Sequence, residues 1–129
     1  MRHGSVSDSS AWFALAQINV EQAQIALDAG RDEWSLEQMQ QAAEKAMKGA
    51  LVRAGIKPKR VHDLSELAED LEKLGENIAW FLPTADALVI EYTASRYPGF
   101  ADPIPDLADV TRMFEETKQL LVQLSRSTP

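Results

Sequence analysis

Apolar residues recur along the chain three and four positions apart, the spacing that keeps side chains on one face of an α-helix, with no strand-like alternation between these stretches. Five helices are predicted. The first covers about Ser9 to Ala29, with Trp12, Ala16, Val20, Ala23 and Leu27 on one stripe, Asp8 or Ser9 as cap, and Gly30 as the left-handed residue that ends it. The second covers about Glu33 to Ala54, with Leu36, Met39, Ala43, Ala46, Met47, Ala50 and Leu51 facing inward and Gly55 closing it. The third opens at His62 or Asp63, where Asp63 and Glu66 have capping-box spacing, and turns Leu64, Leu67, Leu71 and Leu74 to the core before Gly75.

The fourth helix begins near Pro83, carries Leu88, Val89 and Tyr92, and ends before Pro98; Tyr97 to Pro105 is read as a loop. Asp106 caps the fifth, whose stripe is Leu107, Val110, Phe114, Thr117, Leu121 and Leu124. Short connections after the first three helices make neighbours antiparallel. The expected fold is all-α, an up-and-down four-helix bundle with a supplementary or fifth helix, forming a single domain over residues 1–129 with its core at about 9–124. In the first helix Phe13, Leu15, Ile18 and Ile25 lie off the main stripe, more apolar surface than one core face needs, and a two-fold homodimer is expected from them.

Composition agrees with the periodicity. The 129 residues include 18 Ala and 14 Leu, which lose little entropy in a helix. There is no cysteine, so disulfides and thiolate metal sites are excluded. No apolar run approaches the roughly 20 residues that span a bilayer, and the N-terminus lacks a signal-like stretch; a soluble, cytoplasmic protein without membrane association is expected. The net charge of −7 argues against non-specific nucleic-acid binding. Yet 6 of the 13 basic residues fall between Lys45 and Arg60, a segment without Asp or Glu. A local basic patch of this kind suits a compact anion better than a long polyanion.

Three polar motifs stand out. Gln40 to Lys48 reads QQAAEKAMK, with Gln41, Glu44, Lys45 and Lys48 sharing the face opposite the apolar stripe, where Glu44 and Lys48 form an ordinary i,i+4 surface pair. Val61-His62-Asp63-Leu64 stands at a loop-to-helix junction, where the helix dipole favours a neutral imidazole. In Ser95-Arg96-Tyr97-Pro98 the proline stops the helix, so that Arg96 projects near its end as a natural phosphate ligand. These cations could equally be structural, serving as helix caps or as partners of nearby acids. No Glu-x-x-His pair, phosphate-binding glycine loop or nucleophile turn is present, and neither a metal nor a cofactor is expected.

QQAAEKAMK, then HDL, then SRYP, together with Ala11-Trp12, Ala16 to Val20 and Ala23, resemble the HEPN family over about Ala11 to Leu124. Its members are short prokaryotic helical proteins, often encoded beside a minimal nucleotidyltransferase. The family usually has an acid where Asn19 stands. One branch comprises metal-independent ribonucleases marked by an arginine and, four to six residues on, a histidine. Here only His3 and His62 exist; Arg53 precedes His62 by nine positions, Arg60 by two, and no histidine follows Arg96. The signature is absent, so no catalytic residue is assigned.

The resemblance therefore implies a non-catalytic module that binds a nucleotide, docks a minimal nucleotidyltransferase, or both, within a toxin–antitoxin-like pair. The alternatives are a divergent RNA-cleaving toxin and a purely structural interaction domain. Lys45, Lys48, His62, Arg96 and Tyr97 are the expected ligand-binding residues, gathered at the end of the bundle where the fourth helix closes and the third begins, with Tyr97 or Trp80 available to stack on a base.

Overall fold

The computed structural model describes residues 8–57, 63–96 and 106–126, the side chains of 90–96 excepted. Its elements are α1 (Ser9–Asp28), α2 (Asp32–Arg53), α3 (Leu64–Lys73), a 3-10 turn (Ala79–Phe81), α4 (Leu82–Arg96) and α5 (Leu107–Arg126). The fold is all-α, and no strand occurs among the described residues.

The helix ends follow from local chemistry. Asp8 accepts the Ser10 amide at 3.0 Å and Asp63 that of Ser65 at 2.9 Å, each satisfying an amide that the first turn leaves without a carbonyl. Gly30 adopts φ +74°, a conformation a side chain would strain, and so lets the chain reverse between α1 and α2.

Helix α2 runs through the centre and packs against α1, α3, α4 and α5. Its expected stripe, Leu36 to Leu51, is buried throughout. From α3 come Leu64, Leu67 and Leu71; from α5 come Val110, Phe114, Leu121 and Leu124. Burying one such large side chain contributes about 1.5–3 kcal/mol. Two expected core members are instead at the surface. Leu74 forms the C-cap of α3 and is 48% exposed; Leu107, the first residue of α5, is 60% exposed. Both stand at helix ends, beyond the reach of a facing helix.

Phe13 is also placed differently from its expected surface role. It packs against the core, with its ring edge toward Gly49. The Arg53 guanidinium stacks on that ring 5.1 Å from its centre and donates to the carbonyls of Leu124 and Ser125. A cation there meets the negative end of the α5 dipole and satisfies terminal carbonyls.

Candidate functional site

Helix α2 has neighbours on several sides, and this alters the chemistry of its polar face. Glu44 and Lys48 are buried, and Lys48 Nζ lies 2.9 Å from Glu44 Oε2. The pair is therefore internal, not the surface pair that spacing suggests. Gln40, buried as well, donates to Glu44 Oε1 at 3.2 Å and accepts from Gln41 Nε2 at 3.0 Å. Lys48 also lies over the Trp12 ring, 5.8 Å from its centre, so an aromatic face covers the ammonium from α1.

Lys45 is in another situation. Half-buried between α1 and α2, it donates to Asn19 Oδ1 at 2.8 Å, and Asn19 Nδ2 donates to Gln38 Oε1 at 2.8 Å. Lys45 forms no ion pair among the described residues. Burial pushes its pKa below the ordinary lysine value, and the field of Glu44 offsets only part of that. An amide oxygen thus faces a cation for which a carboxylate would be the stronger partner.

His62 and Tyr97 lie outside the described residues, and Arg96 ends α4 with its side chain likewise outside them. The helix register is informative. Ser65 Oγ donates to Asp86 Oδ1 at 2.5 Å, so the first turn of α3 stands opposite the early part of α4. Arg96 is ten residues further on, about 15 Å along the helix axis, and the start of α3 does not coincide with the close of α4. The reason is length: α4 has 15 residues against 10 in α3.

Trp80 is the clear correction. It sits in the 3-10 turn before α4, about 24 Å by helical rise from Arg96, and donates to Gln123 on α5 at 3.1 Å. It belongs to the opposite end of α4 and cannot stack on a base held by Arg96. Trp12, Asn19 and Gln38 are partners that spacing does not connect to the motif, because all three contacts depend on the α1–α2 register.

The family model for the HEPN domain matches residues 9–126, nearly the whole of this helical framework. The chain belongs to the HEPN family. Two solved structures agree. A crystal structure of ST0689, an archaeal HEPN homologue, shares 30% identity with a TM-score of 0.71, covering 92% of this chain and 95% of that one. The crystal structure of TT1696 from Thermus thermophilus, at 22% identity, shows the same fold with a TM-score of 0.75 over 91% of this chain and 95% of that one. None of the curated proteins matches the chain. Within this HEPN chain no described helix is long and apolar enough to cross a membrane. Among the described residues no group of His, Cys, Asp and Glu is arranged to hold a metal ion.

Proposed function

We propose that this HEPN chain is a non-catalytic module that binds a nucleotide, docks a minimal nucleotidyltransferase, or both, as one half of a toxin–antitoxin-like pair. The observation that carries the reading is Lys45, a partly desolvated ammonium whose hydrogen-bond acceptor is the neutral Asn19. A phosphate oxygen arriving there would recover charge–charge interaction that an amide does not supply. In this reading Lys45 holds phosphate, and Arg96 with Tyr97 and, separately, His62 are the further ligand-binding residues, since the start of α3 does not meet the close of α4. Lys48 engages Glu44, so that carboxylate compensates Lys45 only in part.

Calorimetric titration with ATP and GTP tests the nucleotide half. Binding that is lost in Lys45→Ala supports it, and no heat at millimolar nucleotide leaves the docking role alone. Co-purification with a nucleotidyltransferase encoded beside the chain tests that role. Incubation with RNA, using the wild type and His62→Ala, addresses the ribonuclease alternative: cleavage that depends on His62 would overturn a non-catalytic assignment.

A structural reading has one observation in its favour, the closed Glu44–Lys48 pair with its Gln40 and Trp12 neighbours. Under it neither the wild type nor Lys45→Ala gives nucleotide heat, and partner capture is the same for both.

A further inference from the structure

Lys45 and Lys48 stand less than one turn apart on α2 and meet opposite surroundings. Lys48 is buried, 2.9 Å from the Glu44 carboxylate, with the Trp12 ring over it. Lys45 is half-buried, and its Nζ donates at 2.8 Å to Asn19 Oδ1 across the α1–α2 interface. Asn19 is held in turn, its Nδ2 donating to Gln38 Oε1 at 2.8 Å, which keeps the amide oxygen aimed at Nζ.

An amide oxygen accepts an N–H from an ammonium and from a neutral amine alike, whereas a carboxylate favours the ammonium and keeps the proton on it. Loss of that proton thus leaves the Lys45–Asn19 contact in place. Desolvation favours the loss: burial lowers the pKa of Lys45, and Glu44, whose field opposes the shift, is engaged by Lys48. The neutral amine carries a lone pair that can attack a carbonyl carbon. With one N–H fixed on Asn19, that lone pair is free to meet a small reagent arriving from the solvent side.

We propose that Lys45 is a site of acylation by a small acyl phosphate. The lone pair of Nζ attacks the acyl carbon and a C–N bond forms. The C–O bond to phosphate breaks, and the phosphate leaves with that electron pair and takes up the proton that the amine releases. The product is a neutral amide, and no further reactant is consumed. The segment from Lys45 to Arg60 carries six bases and no acid, a positive field that favours an anionic donor over a neutral one. Acylation removes the charge at Lys45 and so switches off phosphate binding there; that consequence rests on the nucleotide reading, whereas the modification itself does not.

Incubation of the full chain with acetyl phosphate, followed by peptide mass mapping, reads the site directly. Lys45 should be acetylated ahead of the exposed Lys57 and Lys73, and Lys48 should stay unmodified. Asn19→Asp should slow acetylation of Lys45 about twofold, as expected of an ion pair at a half-exposed position, and leave Lys57 unchanged. Added salt should narrow the difference, a response that a merely structural role of Asn19 would not give. Acetylation of Lys45 no faster than that of Lys57, or equal rates at Lys45 in the wild type and Asn19→Asp, would overturn the proposal. Nucleotide heat is then measured on the acetylated chain. Its loss ties the modification to the ligand site, and heat unchanged by acetylation would overturn the switching role. An unmodified chain that gives no heat while Lys45 is acetylated first would end the nucleotide reading and leave the modification standing.

Discussion

Lys48 Nζ stands 2.9 Å from Glu44 Oε2, one turn away on α2, and both side chains are only 7% exposed. An ion pair so far from water is costly to assemble and more costly to break. Its attraction is spent largely on offsetting the desolvation of two charges, whereas removing one partner leaves the other buried without its counter-charge.

Glu44→Leu should therefore lose about 3–5 kcal/mol of stability, read as a fall in the urea midpoint. The double variant Glu44→Leu with Lys48→Met should recover most of that loss, since apolar side chains of similar volume suit the same space. Equal losses in the single and double variants would show that the charges are not coupled.

Asn19→Asp places a carboxylate against Lys45, where an amide oxygen now sits at 2.8 Å. The site is half-exposed, so the gain is modest, about 0.5 kcal/mol, lessening as salt is added. The same change should weaken nucleotide binding, because an internal anion then occupies the ammonium. Tighter nucleotide binding by Asn19→Asp would contradict the role given to Lys45.

The lowered pKa of Lys45 has a consequence at alkaline pH. Below its folded pKa the group is charged in both states, and the desolvation cost is fully present. Between the folded pKa and 10.5, the unfolded value, the unfolded chain binds more protons, so stability rises with pH in that window. Above 10.5 the contribution is gone. Lys45→Met should lack this increment, measured as the difference in melting temperature between variant and wild type through that range. Parallel profiles would rule the effect out.

Much of the fold is legible from periodicity alone. The stripes of α2, α3 and α5 reappear as core, apart from Leu74 and Leu107 at helix ends, because an apolar face has one place to go, the interior of the bundle. Glu44 and Lys48 show where that logic stops. Their spacing is identical for an exposed pair and for a buried one, and only the crowding around α2 distinguishes the two. The Asn19–Lys45 contact joins residues 26 positions apart and depends on helix register, which no local pattern encodes. Trp80 is an eligible aromatic by chemistry, yet the length of α4 removes it from the site.

Gly49 offers the sharpest test of the α1–α2 contact. Glycine inside a helix is disfavoured by roughly 1 kcal/mol relative to alanine, so Gly49→Ala on an open surface would stabilise α2. Here a Cβ would stand 3.0 Å from the Trp12 Cβ and 3.0 Å from Phe13 Cε1. The Phe13 ring has some freedom to turn, although Arg53 is stacked on it. The Trp12 Cβ is fixed to the α1 backbone and can yield only if the helix shifts. Overpacking of this kind costs about 1–3 kcal/mol, which exceeds the propensity gain. Gly49→Ala should thus destabilise the chain by about 1 kcal/mol, and Gly49→Val by more, with helicity by circular dichroism retained. Stabilisation by Gly49→Ala would mean that α1 and α2 are further apart than 3.0 Å contacts allow, and the Lys48–Trp12 stacking would fall with them.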